Sequence, residues 1–111
     1  MESLLAGRKA DLVVGLWDRR LMAIECKVTN SYTNSIKRLN NDAAIKASVW
    51  LTELGKVNVV PTAVLSGVFK LAHLVDAQSR GLTLFWAHDL EKLASWIKRT
   101  DLSGAQVAAE P

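Results

Sequence analysis

Glu25, Cys26 and Lys27 set a carboxylate and an ammonium two residues apart inside an apolar run, Leu21 to Val28, that otherwise reads as a buried strand. Side chains alternate along a strand, so Leu21, Ala23, Glu25 and Lys27 share one face while Met22, Ile24, Cys26 and Val28 take the other. The two charges therefore project side by side. Removing an unpaired ion from water costs on the order of several kcal/mol, so the pattern predicts a metal ion, a phosphate or a further charged partner at that spot. Asp11, on the preceding apolar segment, is the natural third member of the group.

Two strand-like runs, Ala10 to Leu16 and Leu21 to Val28, must position these residues, and Trp17-Asp18-Arg19-Arg20 between them reads as a tight hairpin connection. Register decides whether Asp11 joins the pair. A three-residue loop centred on Asp18 sets Asp11 opposite Glu25, whereas one centred on Arg19 sets it opposite Lys27. Either brings the three polar heads within about 5 to 8 Å of one another. Beyond the hairpin, Asn34 or Thr33 can cap a helix running to about Leu54, with Ile36, Leu39, Ala43, Ala47, Trp50 and Leu54 as one buried stripe and Gly55 as its stop. Val57 to Leu65 reads as a third strand in which Pro61 suggests an edge or irregular position. A helix from about Lys70 to Arg80, a strand from Leu82 to Ala87 and a last helix, capped by Asp89 and running to about Arg99, complete the pattern. This alternation predicts a three-layer α/β domain with parallel strands after the hairpin, residues 1–100, followed by a loose tail over 101–111.

Asp11, a spacer, then Glu25-Cys26-Lys27, followed by a polar turn and a helix, resembles the PD-(D/E)xK nuclease superfamily. Ile24 to Ser31 leading into Asn34 to Asn40 is similar, more narrowly, to type II restriction endonucleases of the XamI-like family. Ala10 stands where the superfamily often has Pro. The resemblance implies a restriction-endonuclease-like α/β/α core with a mixed sheet, its first helix missing because only ten residues precede Asp11, as in an N-terminally truncated fragment. Glu2 could be the additional early acidic residue that the resemblance implies. The implied activity is Mg²⁺-dependent hydrolysis of phosphodiester bonds in double-stranded DNA. Asp11, Glu25 and Lys27 would be its catalytic residues, and Asp11, Glu25 and the backbone carbonyl of Cys26 its metal ligands. The short N-terminus leaves open that the isolated chain is inactive. It also leaves open a non-catalytic DNA-binding or oligomerisation module. A junction-resolving, repair or RNA nuclease of the same fold is a separate alternative.

Composition fits one intracellular, cytoplasmic domain: half the residues are hydrophobic and 23% charged, and neither a secretory leader nor a membrane span is expected. The net charge of +3 is carried by the first 46 residues, where eight Lys and Arg face five acids. A basic half suits a polyanion, although solubility alone also accounts for such a charge. Asn30, Ser31, Asn34, Lys37, Arg38 and Asn41 follow the Glu-x-Lys strand without a break and are the candidate DNA contacts, to phosphates or base edges. A homodimer is a further partner that this organisation allows.

Other features have plainer readings. Arg38, Asp42 and Lys46, four apart on the long helix, read first as a solvated, salt-bridged stripe. Cys26 reads as a small buried thiol rather than a nucleophile. His73 and His88 lack metal-ligand spacing and read as surface or structural residues. Trp50, Trp86 and Trp96 are expected in the core, and Trp17 exposed at the hairpin tip.

Overall fold

The computed structural model describes residues 3–101. Most of the expected tail over 101–111, and Glu2, lie outside them. The chain opens with a hairpin absent from the sequence expectation, β1 (Ser3–Leu5) and β2 (Arg8–Ala10), closed by Ala6 and Gly7, both at positive φ. Two such residues make the mirror-image turn that matches strand twist. Strands β3 (Leu12–Gly15), β4 (Leu21–Thr29), β5 (Val59–Gly67) and β6 (Thr83–Trp86) form one sheet in that order, β3 antiparallel to β4 and the rest parallel. The sheet is therefore mixed, as expected.

Ladder pairs run from Leu12 with Ile24 to Gly15 with Leu21, which settles the register: the loop is Trp17-Asp18-Arg19, centred on Asp18. Leu16 N bonds Arg20 O at 2.9 Å, Arg19 N bonds Leu16 O at 3.1 Å, and Arg19 takes φ +75°. That is a type I turn followed by a left-handed residue, a standard three-residue hairpin loop. Asp18 fastens it by accepting from the Arg20 backbone at 3.2 Å and from the Arg20 guanidinium at 2.9 and 2.7 Å.

After β4 the chain enters one long helical stretch: α1 (Tyr32–Ser35), a π-helical segment (Ile36–Ala43) and α2 (Ala44–Leu54). Ser31, not the expected Thr33 or Asn34, caps it, its Oγ accepting from Asn34 N at 3.2 Å. Within the π segment Ala44 N donates to Leu39 O, five residues back. The wider turn changes the phase of the buried stripe. Ser35 is therefore buried where Ile36 was expected, and Ile36 is 40% exposed. Leu39, Ala43, Ala44 and Ala47 pack on Ala63 and Leu65 of β5 and on Ala77 of α3 (Leu71–Ser79). Trp50 packs on Ala10, Ala23 and Val59, and its indole N–H bonds Leu5 O at 2.8 Å, pinning the N-terminal hairpin to the helix.

The opposite face of the sheet is covered by α4 (Leu90–Lys98), whose Leu93, Trp96 and Ile97 pack on Leu16, Met22, Ile24 and Val60. Helices on both sides give the three layers. Pro61, expected at an edge or irregular position, lies in inner strand β5. Its missing N–H does no harm because β6 pairs with β5 only from Thr62 onward, so β5 has a partner on one side there. No helix among the described residues is long and apolar enough to cross a membrane.

Candidate active site

Asp11 stands at the break between β2 and β3, held from below by buried Ala10 under Trp50. One residue beyond the last ladder pair, it folds back over the neighbouring strand: its N–H donates to Glu25 Oε2 at 3.2 Å, and its own Oδ2 accepts from Cys26 N at 2.7 Å. Glu25 and Lys27 project from the same face of β4, with Lys27 Nζ 4.0 Å from Glu25 Oε1. Asp11, Glu25 and Lys27 are thus brought together, and the Asp18-centred register is what does so.

Glu25 is only 1% exposed, and in an apolar sheet its charge demands a partner. Two helical residues that sequence reasoning assigned to a solvated stripe meet that demand. Lys46 Nζ lies 2.5 Å from Glu25 Oε1, and Asp42 receives the Lys27 ammonium. Lys46 and Asp42 are 3.7 Å apart, the intrahelical pair expected of the spacing, but they close it over β4 rather than in open solvent. The available signal was that Asp42 and Lys46 border the apolar stripe of Leu39, Ala43 and Ala47 that had to cover a strand carrying charges.

Burial works against the Asp42 carboxylate, but the hydrogen bond and charge of Lys27, with Lys46 behind them, outweigh it and lower its pKa. Desolvation likewise disfavours the Lys46 ammonium, and the Glu25 hydrogen bond and charge, then Asp42 and Asp11, raise its pKa in spite of it. The cluster joins three carboxylates to two ammonium groups. It carries one surplus negative charge.

Cys26 was expected to be buried and is exposed. It lies on the sheet face opposite the charges, but α4 covers only the Met22 and Ile24 end, leaving Cys26 and Val28 beyond its edge. Partial desolvation, then the Asp11 and Glu25 charges, raise the thiol pKa against the opposing pull of Lys27. The thiol stays protonated at neutral pH, which is unsuited to a nucleophile.

The donor set fits a hard divalent cation, because both carboxylates and the Cys26 carbonyl offer oxygen. Among the described residues no three His, Cys, Asp or Glu side chains converge as a ready cage. Two carboxylates with a backbone oxygen are nonetheless the kind of partial shell that suits a small cation keeping several waters.

The candidate DNA contacts lie where β4 runs into the helix. Arg38, Asn30 and Asn34 line a cleft of about 330 Å³ with Val28 and Thr29. Lys37, Arg38 and Asn41 are exposed. Ser31 is engaged as the helix cap, and Asn34 Nδ2 donates to Asn30 Oδ1 at 3.0 Å. His73 shares a 2.6 Å hydrogen bond with buried Ser35, and His88 stacks on Trp86. Trp17 is 69% exposed and Trp50 fully buried, while Trp86 and Trp96 are half-buried.

A mixed sheet between helical layers, with Asp11 beside its antiparallel edge and Glu25 and Lys27 on an inner strand, is a restriction-endonuclease-like α/β core. The chain belongs to the XamI restriction endonuclease family, whose family model matches residues 1–86. It is 64% identical over 61 residues to the type II restriction enzyme XamI of Xanthomonas campestris pv. amaranthicola. That stretch is 55% of this chain and 22% of the relative, so the chain spans about a fifth of that enzyme's length. No solved structure matches.

Proposed function

We propose that residues 1–100 form the catalytic core of a type II restriction endonuclease, hydrolysing phosphodiester bonds in double-stranded DNA with Mg²⁺ as cofactor. The observation that carries this reading is the convergence of Asp11, Glu25 and Lys27 on one site in which Glu25 is almost wholly buried against cations. Family membership and the XamI relative support the same chemistry.

Asp11, Glu25 and the Cys26 carbonyl would hold the metal ion. When bound, the ion polarises the scissile phosphate and makes water a competent nucleophile near neutral pH. Lys27 acts on the substrate. Its side chain, 13% exposed and paired with Asp42, would orient the attacking water or stabilise the negative charge that grows on the phosphoryl oxygens. Water attacks in line without a covalent enzyme intermediate, leaving 5′-phosphate and 3′-hydroxyl ends. Lys37, Arg38 and Asn41 lie on the substrate side of the helix that follows Lys27, with Asn30, Ser31 and Asn34 forming the turn that leads into it.

Plasmid DNA incubated with the chain, with Mg²⁺ or with chelator, tests the reading, and the ends of any product are mapped. Lys27→Ala should reduce cleavage at least about a hundredfold while leaving metal binding largely intact, because it removes a group used mainly in the transition state. Asp11→Asn should weaken metal binding as well. Wild-type cleavage by either variant excludes this mechanism, and metal-independent DNA binding without cleavage favours the non-catalytic module.

A further inference from the structure

Asp42 and Lys46 have no part in the scheme above, yet they hold its two most important groups. Lys46 Nζ sits on Glu25 Oε1 at 2.5 Å, and the Lys27 ammonium is bound by Asp42. A divalent cation on Glu25 would meet the Lys46 ammonium at the same carboxylate, and like charges that close repel strongly where water is scarce. Lys46 has somewhere else to go. Asp42 is one helical turn away, its Oδ1 already 3.7 Å from Nζ, and at 42% exposure it can receive the ammonium without a change of backbone.

We propose that Lys46 is the internal counter-ion of Glu25 in the metal-free protein, and that binding of a divalent metal displaces it onto Asp42, which in turn releases Lys27 toward the substrate. The inference rests on the functional reading above and gives this pair of helical residues a positioning role within it. Charge is conserved at each exchange: the metal takes over Glu25, Lys46 takes over Asp42, and Lys27 is left with its ammonium free. Metal binding and exposure of Lys27 are thereby coupled, so the group that acts on the phosphate is withheld until the site is charged.

The exchange predicts effects of opposite sign from two partners in one salt bridge. Removing Lys46 abolishes the competitor for Glu25, so Lys46→Met and Lys46→Gln should each bind metal more tightly, by about tenfold or more. Removing the receiving carboxylate leaves Lys46 nowhere to go, so Asp42→Asn should bind more weakly than wild type. A merely structural role would loosen the site in all three. The measurement is calorimetric titration of the full chain with MgCl₂ alone, without DNA, after circular dichroism has shown each variant to be folded. Lys46→Gln keeps a neutral donor beside buried Glu25 and carries the test where Lys46→Met fails to fold. Equal or weaker Mg²⁺ binding by both Lys46 variants overturns the exchange while leaving the catalytic reading standing. If wild type binds no Mg²⁺, or binds it no better than Asp11→Asn does, the metal site itself fails and the exchange fails with it.

Discussion

At the scale of single residues the site is an electrostatic arrangement in which each charge is held by another element. Lys46 and Lys27 come to Glu25 from the helix and from its own strand, and Asp42 ties the two ammonium groups together. The pH dependence follows from the sign of each shift. The Asp42 pKa is lowered below its ordinary 3.8, so its stabilising contribution is complete above that value and is lost as pH falls through the folded pKa beneath it. Lys46 is raised above 10.5, so its contribution is complete below that value and fades as pH rises past the folded pKa. Urea unfolding of wild type and Asp42→Asn should therefore show a gap near neutral pH that closes as pH falls beneath the ordinary carboxylate range, a small one because the carboxylate is partly in solvent. A gap that persists at low pH would show that Asp42 stabilises through something other than its charge. Much of this scale was legible in advance. Strand alternation alone placed Glu25 with Lys27, and parity of register admitted Asp11. Asp42 and Lys46 were not assigned to the site, because four-residue charge spacing on a helix looks the same over a charged strand as it does in water.

Elements fix where those residues stand, and the backbone shows where sequence and geometry agree or conflict. Gly67 ends β5 opposite Thr29 at φ +105°, and a Cβ built there would lie 1.8 Å from Thr29 O. Thr29 is where β4 gives way to the helix, with its carbonyl accepting from Val68 N at 3.1 Å. Gly67→Ala should thus destabilise the domain by more than about 2 kcal/mol in urea titration, through both clash and backbone strain. Arg19 is the reverse case. It occupies the left-handed position of the hairpin loop with its side chain exposed, in a conformation that disfavours any residue with a Cβ. Arg19→Gly should stabilise by about 0.5 to 1 kcal/mol, read as a rise in the unfolding midpoint, and a lowered midpoint would mean that the Arg side chain has a stabilising contact that outweighs the strain. The sequence could not choose between loops centred on Asp18 and Arg19 because neither carries the Gly or Asn that marks a left-handed residue. The hairpin of β1 and β2 was missed for a related reason: three-residue strands containing Arg8 and Lys9 show no periodicity, leaving only Ala6-Gly7 as a turn signal. Ile36 was misplaced because a stripe drawn at 3.6 residues per turn cannot anticipate a π segment.

Across the whole molecule, charge is unevenly spread along the chain. The excess of basic residues lies within the first 46 positions, on the elements that build the site and the helix beside it. Two of those charges, Lys27 and Lys46, are committed internally to Glu25 and Asp42, so under the proposed function the attraction for DNA would come from cations left in solvent. Lys37 and Arg38 are both exposed, and Arg38 lines the cleft at the end of β4. If they meet the phosphate backbone, replacing both by Ala should weaken DNA binding on every sequence and lower the slope of log affinity against log salt by up to about two, close to one for each lost contact. The amides should behave differently. Asn34 is clipped to Asn30, so its replacement disturbs the turn, whereas exposed Asn41 is free to meet a base edge, and Asn41→Ala should reduce preference for specific over random duplex by about 1 to 3 kcal/mol if that contact is bidentate. Titrations on both duplexes at several salt concentrations separate the two effects. A salt slope unchanged in the Lys37 and Arg38 double variant would return those residues to the outer face of a solvated helix.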